Sequence, residues 1–408
     1  MLEPLAGHHL DHSTRSDVPP FYVMDVLAAA GERRRTHGDL VSLAAGQPSS
    51  PAPTPVLAAA HAALRDDVLG YTEQLGIPEL RAAIAGHYLR AYGLAVAAED
   101  VVVTTGSSGA FTLAFLAAFD AGDRVALGRP GYPAYRNILG ALGCRVVDLP
   151  TGPDTRFQPT VRMLDELDEP IRGLIVASPA NPTGTVLPPA ELAAIARWCA
   201  EHDVLLISDE IYHGISFGLD FDCAWRTSRD AVVINSFSKY WSMTGWRLGW
   251  MLLPERLRAP VSRLTGNFSI CPPAIAQLPA VAAFTEQSYA EVDAHVTRYR
   301  TNRDLLLAGL TELGINRLAP ADGAFYAYAD VSHLTSDSLG FCQRLLADTG
   351  VAIAPGIDFD PVDGGRFVRM SFAGSTEDVR EALYRLGEWL PRQPGQQGAG
   401  TGGTNGSR

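Results

Sequence analysis

Short apolar runs of strand length recur at residues 101–105, 124–127, 145–149, 174–177, 204–208, 231–234 and 248–253. Several are apolar at consecutive positions, as in Val101-Val102-Val103, Leu174-Ile175-Val176 and Val204-Leu205-Leu206-Ile207. Unbroken apolar runs mark strands covered on both faces. Helical segments separate them, which predicts right-handed crossovers and a mostly parallel sheet. Such sheets bind ligands at the carboxyl ends of their strands.

The flanks read differently. Upstream, the pattern predicts a helix over 23–35, a short strand over 39–45, and helices over 56–66 and 78–92. The Pro-rich stretch 49–55 interrupts them. Downstream, the chain reads as helical to about residue 285, then as a long charged helix over 289–313. Strands at 323–329, 351–354 and 366–372 then mix with helices at 338–349 and 376–390. The expected fold class is α/β: a large domain with a mostly parallel sheet, plus a smaller α+β domain. Residues 1–45 form an N-terminal arm and part of the small domain, 46–284 the large domain and 285–390 the small one. Residues 391–408 lack apolar periodicity and are expected to be disordered.

Composition narrows the classes. The 408 residues are 47% hydrophobic and 19% charged, which suits a buried core and not a disordered chain. A net charge of −12 argues against a nucleic-acid partner. No apolar run reaches membrane-spanning length, so no membrane partner is expected. Cys144, Cys199, Cys223, Cys271 and Cys342 are scattered without C-x-x-C spacing, which fits reduced thiols in a cytoplasm. Residues 1–16 lack a signal-peptide pattern. His8, His9 and His12 have no carboxylate or thiol cluster beside them, so no metal centre is expected there.

The residues that carry chemistry fall at the predicted strand ends. The run 231–234 leads into Ser236-Phe237-Ser238-Lys239, with Arg247 further along. Hydroxyls and an arginine together hold a phosphate. A lysine beside an anchored carbonyl cofactor can form a Schiff base with it. Taken alone, Lys239 reads as a solvated lysine on a turn. Gly106-Ser107-Ser108-Gly109 follows 101–105 and opens a helix over 109–118. Free N–H groups there attract an anion, although a serine also caps a helix without any ligand. One shared phosphate uses both serine pairs and Arg247.

Asp209 ends the run 204–208. A carboxylate so placed needs a cationic or hydrogen-bonded partner, either a structural ion pair or a protonated pyridine nitrogen. Glu210 reads as structural. Tyr132 is a core aromatic or a face for stacking, and Asn181-Pro182-Thr183-Gly184 is a turn. Strand alternation sets Arg369 opposite Val368 and Met370. Its fork can grip a carboxylate, while Arg366 better fits the surface.

The string S-x-S-K-x-x-x-M-T-G-W-R-x-G at 236–249 resembles the lysine segment of class I/II aminotransferases, which are fold type I. The likeness extends over roughly 18–390, with the motifs in family order. It implies pyridoxal 5'-phosphate on a catalytic Lys239. The phosphate is then held by Ser107, Ser108, Ser236, Ser238 and Arg247, and the ring is stacked by Tyr132. Asn181 and Tyr212 bond its phenolic oxygen, and Asp209 pairs with its nitrogen. Arg369, with Gly46 and Asn181, meets the substrate α-carboxylate. Tyr71 reaches the phosphate of a neighbouring subunit, which implies a homodimer with shared active sites.

The implied activity moves an amino group between an L-amino acid and a 2-oxo acid. A lyase on the same scaffold, such as a C–S β-lyase, is the alternative. Some aspartate-specific relatives carry Lys where this chain has Ser108. That difference and the aromatic Phe21, Tyr22, Tyr71 and Tyr132 favour a neutral or aromatic donor, with 2-oxoglutarate or pyruvate as acceptor. Asn267-Phe268-Ser269 receives no role.

Overall fold

The computed structural model describes residues 12–392. His8 and His9, and almost all of the tail expected from residue 391, lie outside this range. The helices are α1 (Tyr22–Thr36), α2 (Thr54–Asp66), α3 (Pro78–Tyr92), α4 (Gly106–Ala118), α5 (Pro133–Ala141), α6 (Val161–Asp165), α7 (Pro189–Glu201), α8 (Glu255–Phe268), α9 (Ala274–Ala280), α10 (Glu286–Glu312), α11 (Ser338–Thr349) and α12 (Thr376–Trp389).

The central sheet contains β2 (Val101–Thr104), β3 (Arg124–Arg129), β4 (Arg145–Pro150), β5 (Gly173–Ala177), β6 (Leu205–Asp209), β7 (Val232–Ser236) and β8 (Gly249–Leu252); β1 (Val41–Ser42) lies outside it. Its spatial order is β2-β8-β7-β6-β5-β3-β4. The pairs β3·β4, β3·β5, β5·β6 and β6·β7 are parallel, and β8 runs antiparallel to both β7 and β2. Every strand except β8 therefore points the same way. Every residue of β2, β6, β7 and β8 is buried, as the unbroken apolar runs require.

A smaller antiparallel sheet has the order β11-β12-β9, from β9 (Tyr326–Asp330), β11 (Ala354–Pro355) and β12 (Phe367–Ser371). β1 pairs in parallel with β10 (Val351–Ala352). The expected strand over 39–45 shortens to β1. Leu43 and Ala44 instead give their carbonyls to Ser371 N and to the Arg369 side chain. The expected strand 351–354 breaks into β10 and β11. β9 begins at Tyr326 and not at Gly323, because Ala321 and Ala324 take positive φ and turn the chain. α4 starts at Gly106, where φ of +68° lets β2 turn straight into the helix. The apolar pattern gives no range for α5, α6, α7 or α8.

The lysine loop is fixed by its own aromatics. Phe237, Trp241 and Met243 are fully buried, and Trp241 donates its indole N–H to Ala283 O at 3.2 Å. Ser242 and Arg247 take positive φ, so this loop leaves β7 in a fixed and unusual course.

Candidate active site

The parallel strands deliver their ends to one cavity of about 210 Å³. Asp209 ends β6 beside Ala177 of β5, and both line it. So do Ser107 and Ser108 after β2, Tyr132 after β3, Asn181 after β5, and Ser238 and Lys239 after β7. Gly46, Tyr212, Arg247 and Arg369 complete the expected set within this cavity.

One end is built from hydroxyls and an arginine. Ser107 and Ser108 lie in the first turn of α4, whose N–H groups have no helical partner. Arg247 reaches this turn because Gly106 has no side chain. A Cβ there would lie 2.5 Å from Arg247 Nη2. Ser238 takes a hydrogen bond from Ser236 Oγ at 2.9 Å, and its carbonyl accepts from Thr244 Oγ1 at 2.8 Å.

Lys239 donates its Nζ to the Gly46 carbonyl at 2.5 Å. Loss of water around the amine, with Arg369 and Arg247 nearby, pulls its pKa down to about 8, while Asp209 acts the other way. Gly46 is required for close approach, since a Cβ would collide with the Tyr326 hydroxyl.

Asp209 is 3% exposed. Its Oδ1 accepts from Ile211 N at 3.1 Å, and its Oδ2 accepts from the Tyr135 hydroxyl. Burial raises the carboxyl to about 6, against those two hydrogen bonds and the Lys239 charge. The carboxylate is short of positive charge, and a ring N–H⁺ would supply it.

Arg369 is 3% exposed and held by neutral oxygens: Nη1 donates to Asn181 Oδ1 at 2.9 Å and Nη2 to Ala44 O at 2.7 Å. Its guanidinium lies 4.4 Å from the Tyr326 ring centroid and 4.7 Å from that of Phe359. Its buried Nε has no partner. A buried cation without an anion bonded to it is costly unless a ligand brings one.

Comparison with known proteins assigns the family. A family model for aminotransferase class I and II matches residues 38–386. The chain belongs to the class I and II aminotransferases. A valine–pyruvate aminotransferase of Mycobacterium tuberculosis is 66% identical over 381 residues, covering 93% of this chain and 98% of that protein. An aspartate/prephenate aminotransferase of Thermus thermophilus is 37% identical over 377 residues, covering 91% and 97%. The crystal structure of an aminotransferase from M. tuberculosis superposes with a TM-score of 0.93 at 65% identity, covering 94% of this chain and all of that one. Thermus thermophilus aspartate aminotransferase with maleate gives a TM-score of 0.87 at 37% identity, covering 93% and 99%. The protein is therefore a fold type I aminotransferase.

Three expected residues of this aminotransferase, Ser236, Tyr71 and Tyr22, are absent from the cavity lining. Ser236 is one layer back: its Oγ lies 2.9 Å from Ser238 Oγ and 3.2 Å from Leu248 O, so it supports the loop. Tyr71 is 83% exposed, in a separate surface depression with Thr105, Ser269 and Cys271. Tyr212 lines the cavity with its hydroxyl 2.7 Å from that of Tyr326.

Sequence reasoning missed Tyr135, Tyr326, Phe359 and the apolar side of α1. Tyr135 follows Tyr132 at a helical spacing that would have put both on one face. Tyr326 and Phe359 carry no local signal, because their roles arise from contact with Arg369.

Proposed function

We propose that the cavity holds pyridoxal 5'-phosphate and transfers an amino group from a neutral aliphatic L-amino acid to a 2-oxo acid such as pyruvate. The observation that carries this is the convergence of Lys239, Asp209 and Arg369 on one cavity with a serine–arginine anion site at its end. The residues fit the cofactor on their own chemistry. Ser107, Ser108, Ser238 and Arg247 would hold the phosphate, with Ser236 bracing Ser238. Tyr132 would stack on the ring, and Asn181 and Tyr212 would donate to its phenolic oxygen. Asp209 would hold the ring nitrogen proton. When bound, the group supplies a carbonyl that captures an amine and a cationic ring that accepts a carbanion's electrons.

The chain's own residues do the rest. Arg369 lines the cavity and would take the donor's α-carboxylate with the remaining donors of its planar fork. Asn181, whose Oδ1 accepts from Arg369, keeps its amide N–H donors for ligands. Gly46 accepts Lys239 Nζ on its carbonyl, and its backbone N–H, a donor, would meet the carboxylate. Lys239, with a pKa near 8, is suited to take a proton from the substrate α-carbon and return it, because both protonation states are accessible near neutrality.

Donor choice follows from the lining. The charged residues there are Lys239, Arg247, Arg369 and Asp209, each already engaged in this scheme, and Phe21, Val23, Met24, Leu27 and Ile211 supply apolar wall. The M. tuberculosis relative, named for valine and pyruvate, supports the same choice.

The site is completed by a second copy of the chain. Tyr71, Val68, Phe268 and Ile270 are large exposed apolar residues. Surface depressions lined by Tyr71, Thr105, Ser269, Phe268 and Ser108 lead to the start of α4. Tyr71 of one protomer then reaches the phosphate site of its partner. A cytoplasmic setting fits the free cysteines. Among the described residues no helix is long and apolar enough to cross a membrane.

Assay of the purified, cofactor-loaded protein with L-valine and pyruvate tests the reading. Alanine and the valine-derived 2-oxo acid should form together, and Lys239→Ala should abolish both. Transfer by that variant, or none by the wild type, refutes it.

A further inference from the structure

The N-cap residue of α1, Phe21, has no side-chain group bonded to the first turn. The missing cap comes from far along the chain. Asp358 accepts Tyr22 N at 2.8 Å on Oδ1 and Val23 N at 2.6 Å on Oδ2. A carboxylate at a helix N-terminus satisfies orphan donors and the helix dipole together. The other end of α1 is fixed separately, by Arg33 on Asp39 and on Ala347 O.

The turn carrying Asp358 touches the rest of the site. Phe359 packs 4.7 Å from the Arg369 guanidinium, and its carbonyl accepts from Gly131 N, next to Tyr132, at 3.0 Å. Val23 clusters with Phe359, and Phe21 and Leu27 pack on that cluster. Phe21, Val23, Met24 and Leu27 also line the cavity. Further along the same apolar face, Val26 and Ala30 pack with Ala44, Leu346 and Ala352.

From this geometry we propose that Asp358 is a positioning residue: it holds the first turn of α1 against the cavity, so that Phe21, Met24 and Leu27 form the wall that receives the donor's branched side chain beside Arg369. This rests on the aliphatic-donor reading above. Asp358 touches neither substrate nor cofactor in the scheme, and acts through α1. A small donor such as alanine does not reach the wall and does not depend on it.

The test uses the cofactor-loaded enzyme, with Asp358→Asn and the exposed Met24→Ala as variants. Asp358→Asn should raise KM for L-valine about tenfold, the effect of losing a charged hydrogen bond, with kcat within about twofold. KM for L-alanine should stay within about twofold, since its methyl adds no wall contact. Amide exchange at Tyr22 and Val23 should accelerate about tenfold, while the Arg33 end of α1 keeps its protection. Met24→Ala should raise KM for valine severalfold with no change in amide exchange. Equal effects on valine and alanine, or a fall in kcat at unchanged KM, overturn the proposal. Unchanged exchange at Tyr22 and Val23 overturns it even if the wild type transfers no amino group at all; that last result counts against the donor reading alone.

Discussion

The Tyr135 hydroxyl donates to Oδ2 of the buried Asp209 carboxylate. The two residues come from different elements: Tyr135 from α5 and Asp209 from the end of β6. The bond stabilises the charged carboxylate, which burial otherwise disfavours. Tyr135→Phe should therefore leave Asp209 less able to hold a ring nitrogen proton. We expect kcat to fall about tenfold, with KM for the donor little changed, because one hydrogen bond to a charged group is worth roughly 1.5–3 kcal/mol. Steady-state kinetics of the variant check this, and an unchanged kcat would deny the bond its role.

Asp209 also gives the cofactor-free protein a distinctive pH dependence. Its carboxyl is raised from 3.8 to about 6 on folding. A raised pKa means that the folded state holds the proton more tightly than the unfolded one. The resulting stability is present below pH 4 and is lost as pH rises through 6. Asp209→Asn removes this loss. The cofactor-free variant should match the wild type near pH 4 and exceed it at pH 7 by about 1–3 kcal/mol. Denaturant unfolding at both pH values measures the difference. Equal stability of the two proteins at pH 7 contradicts the inference that this carboxylate is buried short of positive charge.

Arg369 should tolerate loss of its fork but not without cost to binding. Arg369→Lys keeps a cation but loses the planar pair of donors that also engages Asn181 and Ala44. KM for both the amino acid and the 2-oxo acid should rise, and kcat/KM should drop about a hundredfold, or roughly 3 kcal/mol. Initial rates with each substrate varied in turn show it. A change confined to one substrate would mean that Arg369 is not the shared carboxylate clamp.

The chain discloses some of this directly and hides the rest for physical reasons. The consecutive apolar runs expose the parallel sheet because both faces of each strand are covered, as in Leu205 to Ile207. Asp209 and Lys239 were visible through the assembled motifs, since alone Asp209 also reads as a structural ion pair and Lys239 as a solvated lysine on a turn. Short strands were less legible. β1 is only Val41–Ser42, and its neighbours' carbonyls serve Ser371 and Arg369, a choice made by partners more than 300 residues away. Tyr326 and Phe359, which flank Arg369, and Asp358, which caps α1, belong to the same category of long-range partner. Ser236 reads as a phosphate ligand by spacing, and its contacts with Ser238 Oγ and Leu248 O are set by folding and carry no local signal.

The central claim is amino-group transfer at Lys239, and a single-turnover half-reaction tests it most directly. L-Valine is added alone to the cofactor-loaded enzyme, and released 2-oxo acid and ammonia are counted per active site. One equivalent of 2-oxo acid and no ammonia should appear, followed by a stop and a restart when pyruvate is supplied. Continuous 2-oxo acid release with ammonia and no acceptor, or no release at all, would contradict that claim.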